Sequence, residues 1–417
     1  MPVTPFVDAE RVLREVVDDA PVSARSRAPL GDGTVTGFTV SPVGGRSFIA
    51  YVDDSHLPVA AETGAVREDG VRVWEHPADP HLPALAAVAF RGAVTDLLTR
   101  AGVDVVAAPE MVSYRPGRRA VLRVPTHDGT LWAKVVPPAK AARIVERHTA
   151  ARRGGLPVPA VRCWSPEGLL VLDAAEGTPA TAGRWEPSVL AASVRRLRGR
   201  LAESPLALRA AAGVDARADW YLRRLSIALP AQAASLAALA SAVTAGVASA
   251  ADRTQNSAAG ADTAAGSRAG SVVHGDLHIG QLFLDDAGEV SGLIDLDTAG
   301  IGDPDQDAAA FLGHALASAS LTSDPASAHR LIELARAFHA EEHGPRVHAL
   351  TAIHLLGHAV TTVDAGDEDT ALSLIRAARR VVARGEIADP LGRPSTDRHP
   401  TEHDLSKRLL TEGFESV

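Results

Sequence analysis

Only one cysteine, Cys163, stands in 417 residues, so no internal disulfide can form. Lysine is nearly as scarce: three of the 42 basic residues are lysines (Lys134, Lys140 and Lys407), and arginine supplies the rest. Asparagine occurs once, at Asn256. Basic charge is not in excess, and a net charge of −9 discourages a nucleic-acid surface. No charged-then-apolar leader follows Met1-Pro2-Val3-Thr4, which makes the cytoplasm the expected compartment. The uncharged run from Ala228 to Ala251 has membrane length but is mostly Ala, Ser and Thr. With few Leu or Ile, it is expected as a buried helix of a soluble protein that makes no use of a membrane. No internal repeat of fixed period is apparent.

What is present is concentrated in one stretch. Val273-His274-Gly275-Asp276-Leu277-His278-Ile279-Gly280-Gln281 is followed by Leu293-Ile294-Asp295-Leu296-Asp297. Leu282–Leu284 and Val290–Ile294 are short apolar runs around the turn signal Asp285-Asp286-Ala287-Gly288, a pattern that predicts a β-hairpin. Such a hairpin brings Asp276 and Gln281 towards Asp295. Two carboxylates and an amide grouped this way suit a hard divalent cation whose shell is completed by phosphate oxygens.

These letters resemble a known family. His274-Gly275-Asp276, Ile294-Asp295 and Gly302-Asp303-Pro304-Asp305-Gln306-Asp307 are similar to the aminoglycoside phosphotransferase and choline kinase group, whose loop reads H-G-D and whose tail reads G-D-P-x-x-D. Gln281 stands where that group usually has Asn. The variant H-G-D-x-H-x-G-Q is that of maltokinases and actinobacterial glucosamine kinases, and an amide oxygen remains available as a ligand. The resemblance implies an α+β, protein-kinase-like bilobal fold, ATP (alternatively GTP) and Mg2+ as cofactors, and a small-molecule hydroxyl acceptor as partner. It implies Asp276 as the catalytic residue, Gln281 and Asp295 as metal ligands, and His274, Asp303 and Asp307 as supports of the loop. Asp297 is expected to be solvated.

Further upstream such an enzyme needs a lysine on a strand to hold nucleotide phosphates and a glutamate on the next helix. Lys134 lies within the apolar run Leu131-Trp132-Ala133-Lys134-Val135-Val136, where an inward cation is otherwise costly. Its compact charge suits a phosphate pocket better than an arginine fork. Glu146, in the helical stretch Ala139–Arg153, is the expected partner. Arg118, in the turn Arg115-Pro116-Gly117-Arg118, could cover the phosphates, and Asp173 ends a run, Leu169–Asp173, that resembles the hinge strand contacting adenine.

Rival chemistries fail on specific residues. Asp276-Leu277-His278 is also the D-x-H opening of calcineurin-like metallophosphoesterases, but their later G-N-H segment needs an asparagine this chain lacks there. A calcium loop starting at Asp295 finds Ala299 at position five and Gln306 at position twelve. His354 and His358 are spaced as a zinc pair without the H-E-x-x-H glutamate, so they are expected to line the acceptor pocket or to pack.

The expected organisation is an N-terminal α/β cap module over 1–80, a kinase N-lobe and hinge over 81–179, a helical C-lobe over 180–387 and a flexible tail over 388–417. Helices are expected at Ser188–Ala202, Asp215–Ser249, Gln306–Ser318, Pro325–Glu342, Arg346–Val363 and Asp367–Arg384, with a mobile loop over Ala250–Gly270. The function implied is ATP- and magnesium-dependent phosphorylation of a sugar, amino sugar or aminoglycoside hydroxyl by a monomer or homodimer. A non-catalytic, nucleotide-binding pseudokinase is the alternative.

Overall fold

The computed structural model describes residues 8–67, 69–249 and 270–392; the expected mobile loop and most of the expected tail lie outside them. The chain divides into two units, Met1–Arg152 with Val158–Ala175 and Arg153–Pro157 with Glu176–Val417. The front segment is thus grouped with the strands that follow it rather than forming a unit of its own.

In the first unit, helix α1 (Ala9–Val16) is capped by Asp8, whose carboxylate accepts from the Arg11 N–H. A five-stranded antiparallel sheet follows: β1 (Val22–Leu30), β2 (Gly33–Val40), β3 (Phe48–Asp53), β4 (Ala65–Val66) and β5 (Arg72–Glu75), in the order β1-β2-β3-β5-β4. Strand β1 was not foreseen. It is an edge strand exposed along most of its length, so it carries none of the apolar alternation that betrays β2 and β3. Short helices α2 (Leu85–Ala89) and α3 (Arg91–Thr99) lead to a second sheet of β6 (Glu110–Arg115), β7 (Arg119–Thr126), β8 (Gly129–Val135), β9 (Val161–Trp164) and β10 (Leu169–Asp173), ordered β6-β7-β8-β10-β9. Helix α4 (Pro138–Arg153) connects β8 to β9.

The two sheets of this unit are stitched together by Asp79, which is 1% exposed. Its carboxylate accepts from the Tyr114 hydroxyl at 2.8 Å, the Gly117 N–H at 2.8 Å and the His81 N–H at 2.9 Å. His81 in turn shares a 2.9 Å hydrogen bond with buried Asp53. Gly117, with φ of +70°, has no room for a side chain: a Cβ there would stand 2.6 Å from Leu30.

The second unit begins with β11 (Thr178–Pro179), α5 (Pro187–Ala202), α6 (Ala218–Ala228) and α7 (Ala233–Ala248). The single helix expected over Asp215–Ser249 is broken at Pro230, which has no N–H to continue the ladder. Helix α7 also departs from the buried helix foreseen for this run. The stretch Pro230–Ala248 is apolar and long enough to cross a membrane by length and composition alone, yet only 17% of it is buried. Leu236, Leu239 and Val243 form its inward stripe.

Strands β12 (Ser271–Val273), β13 (Leu282–Leu284), β14 (Val290–Leu293) and β15 (Gly300–Gly302) carry the loop motifs. Helices α8 (Pro304–Leu321), α9 (Pro325–His339), α10 (Pro345–Asp364) and α11 (Glu368–Arg384) follow, each within a few residues of its expected span. α8 and α9 start alike, with Asp303 or Asp324 accepting a backbone N–H and proline at the first helical position. α8 is the central helix of this unit, buried on nearly every side. Its Gly313 lets α10 come close, since a Cβ there would lie 2.5 Å from His354 Cβ.

Replacing Asp79 with alanine strands the Gly117 and His81 N–H groups in the interior. The expected loss of unfolding free energy is about 1–3 kcal/mol per orphaned donor. Tyr114→Phe, which removes one hydroxyl donor, should cost about 1 kcal/mol. Urea titration of the two variants measures both losses; equal, negligible shifts would show that the network is not what joins the sheets.

Candidate functional site

The β13–β14 hairpin forms as its sequence predicts, with Leu282 opposite Leu293 and Leu284 opposite Val290. Asp285 tightens its turn by accepting from the Ala287 and Glu289 N–H groups at 3.0 and 2.9 Å. At its open end the Ile294 N–H donates to the Gln281 carbonyl at 3.0 Å, which sets Asp295 beside Gln281 along the chain path. Asp295 itself has left-handed backbone angles, φ 64° and ψ 53°, uncommon outside glycine but tolerated by aspartate better than by most residues.

The loop before the hairpin is held from below. Asp307, in the first turn of α8 and 2% exposed, accepts from the His274 N–H at 2.8 Å and the Gly275 N–H at 2.7 Å. Burial pushes its carboxyl above the ordinary value, against the lowering effect of His274 and these two donors. His274 is fully buried, and its Nε2 meets the Ile294 carbonyl at 3.0 Å while its own carbonyl accepts from Thr298. Asp303 caps α8 and is gripped by Arg346 at 2.6 Å. Asp307 therefore braces the loop and Asp303 the helix. Asp297 is half-buried and has an interaction partner.

Gln281 is 4% exposed, and its Oε1 is buried without a hydrogen-bond partner. An unsatisfied buried acceptor of this kind is costly unless something electropositive meets it. Among the described residues no group of three or more His, Cys, Asp or Glu forms a metal cage. Magnesium does not require one, because it takes one or two protein oxygens and completes its shell with phosphate and water. The donor set Gln281 and Asp295 fits that habit.

Asp276 is half-exposed and faces a cluster of histidines. His314 of α8 places Nε2 at 3.4 Å from Asp276 Oδ1, and His358 of α10 places Nε2 at 3.1 Å from His314 Nδ1. The ring of His278 lies 4.6 Å and that of His354 5.4 Å from the ring of His314. Burial works to raise the Asp276 carboxyl, but the hydrogen bond and charge of His314, with the charges of His278 and His354, outweigh it and hold it below the usual range. Burial first, and then the charge of His314, pushes His278 and His358 down to about 4 and His354 to about 3. These three rings are neutral at pH 7.

In the first unit Lys134 is 6% exposed on β8, opposite Val121 and Leu170. Glu146, its expected partner, is not on the buried face of α4. The inward face of α4 is Ala141, Ile144, Arg147, His148 and Ala151, and Glu146 is on the exposed side. Arg118 also departs from expectation. It donates to the Pro29 carbonyl at 2.6 Å, and the neighbouring Gly117 N–H is taken by Asp79, so this turn is spent on the front sheet rather than offered to phosphates. Asp173, at the end of β10, is paired with Arg162. His354 and His358 were singled out from sequence; His314, the residue touching Asp276, was not, because it stands alone on an alanine-rich helix with no motif around it.

A family model described as the phosphotransferase enzyme family matches residues 111–350. A search of the curated proteins finds no match. Among solved structures, the aminoglycoside phosphotransferase APH(3'')-Id from Streptomyces rimosus is 25% identical, over 62% of this chain and 97% of that one, with a TM-score of 0.37. A choline/ethanolamine kinase family protein from Mesorhizobium loti is 17% identical over 69% and 92%, with a TM-score of 0.44. The macrolide 2'-phosphotransferase MphH from Brachybacterium faecium is 18% identical over 70% and 99%, with a TM-score of 0.38.

Asp307→Ala should cost about 1–3 kcal/mol for each of the two N–H groups it strands, and should loosen the loop at His274 and Gly275. Hydrogen exchange at those two amides is the direct measurement. Unchanged protection in the variant would show that the loop holds itself.

Proposed function

This chain belongs to the phosphotransferase enzyme family and is a small-molecule kinase; we propose that it transfers the γ-phosphate of ATP, with Mg2+, to a hydroxyl of a sugar, amino sugar or aminoglycoside in the cytoplasm. The observation that supports the reading is the Gln281 Oε1, buried and unmatched at the open end of the hairpin whose second strand leads into Asp295. Magnesium, when bound, neutralises charge developing on the phosphate oxygens. Gln281 and Asp295 would hold it. Lys134, the buried lysine of β8, supplies the point charge suited to nucleotide phosphates.

Asp276 orients the acceptor hydroxyl. As the oxygen–phosphorus bond forms and the bond to the departing ADP oxygen breaks, the hydroxyl proton passes to the Asp276 carboxylate. A carboxylate below its usual pKa is a weak base, which suits a late transfer, when the acceptor oxygen has already become acidic by bonding to phosphorus. A sugar-like acceptor is favoured by the H-G-D-x-H-x-G-Q wording and by the neutral imidazoles around Asp276, which can both donate to and accept from hydroxyls.

ADP release with ATP and magnesium, measured across glucosamine, maltose, other sugars, aminoglycosides and choline, should be acceptor-dependent. Asp276→Ala should lower it by about 10²–10⁴-fold; full turnover in that variant would refute the assignment. Gln281→Leu, nearly isosteric, should raise the magnesium concentration needed for half-maximal rate and leave the acceptor KM unchanged. An unaltered magnesium dependence would remove Gln281 from the ligand set.

A further inference from the structure

The histidines beside Asp276 are arranged with a direction. His314 can give an N–H to Asp276 Oδ1 and remain neutral only if its proton sits on Nε2, which leaves Nδ1 as an acceptor. His358 Nε2 lies 3.1 Å from that Nδ1 and can fill it with a donated hydrogen. In that neutral form the order runs from His358 Nε2–H to His314 Nδ1, and from His314 Nε2–H towards Asp276 Oδ1 at 3.4 Å. The helices impose this order: Gly313 permits the close approach of α8 to α10, which sets His314 against His354 and His358.

The geometry points to His314 as a positioning residue for Asp276, locked in one tautomer by His358, so that Oδ1 is occupied and Oδ2 is presented to the acceptor hydroxyl. This rests on the reading of Asp276 as the group that receives the hydroxyl proton. A carboxylate free to rotate would offer either oxygen in many orientations, and a misplacement of about 1 Å can cost a factor of about 100 in rate. The arrangement also couples catalysis to pH. The groups facing His314 are Asp276 and His278 from the loop and His354 and His358 from α10, with Arg217 acting on His354 from further away. Among these Asp276 is the one acid. Protonation of His358, which burial and the charge of His314 hold down to about 4, therefore places positive charge one hydrogen bond behind Asp276 as pH falls, and the carboxylate becomes a poorer proton acceptor. The rate should fall on the acid side.

Three variants and one spectroscopic measurement test this in the full-length enzyme. His314→Leu should lose about 100-fold in kcat with an acceptor KM within about twofold of wild type. His314→Gln, whose amide can donate where Nε2 did, should recover about tenfold of that loss. His358→Leu should reproduce part of the defect. In 15N-labelled protein, His314 should be the Nε2–H tautomer in wild type and should shift when Asp276 becomes asparagine. Wild-type kcat in His314→Leu, a defect confined to KM, or an acid limb unmoved in His358→Leu would overturn the inference. If His314→Leu does not fold, the wild-type tautomer decides: an Nδ1–H form of His314 overturns it. Turnover surviving Asp276→Asn would instead sink the reading of Asp276 itself, and the two failures are thereby told apart.

Discussion

A buried carboxylate that accepts two successive backbone N–H groups is the constraint on which the second unit's chemistry depends. Asp307 is carried on the best-buried helix of that unit, and its two oxygens fix His274 and Gly275. Removing a carboxylate from water is unfavourable, and the cost is offset only while the donors stay in place. The loop is therefore fixed relative to α8, the same helix that delivers His314 to Asp276. The first unit uses the same device: Asp79, equally buried, collects N–H groups from Gly117 and His81 and a hydroxyl from Tyr114. In each case the carboxylate secures a glycine-containing turn.

Electrostatics around Asp276 follow from this packing. Four imidazoles crowd one carboxylate, and burial first, with the charge of His314 second, keeps three of them uncharged at pH 7. The neighbourhood is consequently rich in hydrogen-bonding capacity and poor in net positive charge. Such a wall can hold hydroxyl groups without competing for the negative charge that gathers on a transferring phosphoryl group.

Much of the second unit was legible from local sequence. The hairpin announces itself through the Asp-Asp-Ala-Gly turn, and the α8 and α9 starts through Asp-Pro pairs, because these features are decided by neighbours within a few residues. Three features were not. The phase of α4 turned Glu146 outward, and a one-position error in helix register moves a side chain by about 100°. The Arg115–Arg118 turn looked free because its partners, Asp79 and Pro29, are 38 and 89 residues distant in sequence. His314 acquires its meaning only when α10 lies against α8. Contacts that close long loops leave no periodic trace, whereas the residues that cap, turn and alternate do.

The docking of the β6–β7 turn onto the front sheet has a mechanical consequence. Gly117 is wedged against Leu30, its amide is tied to Asp79, and Arg118 reaches the Pro29 carbonyl. A turn of this kind would ordinarily flap on its own two strands. Here it can lift only by carrying the end of β1 with it or by breaking three attachments together, so the front sheet acts as a damper, and strand and turn share one mode of motion instead of two.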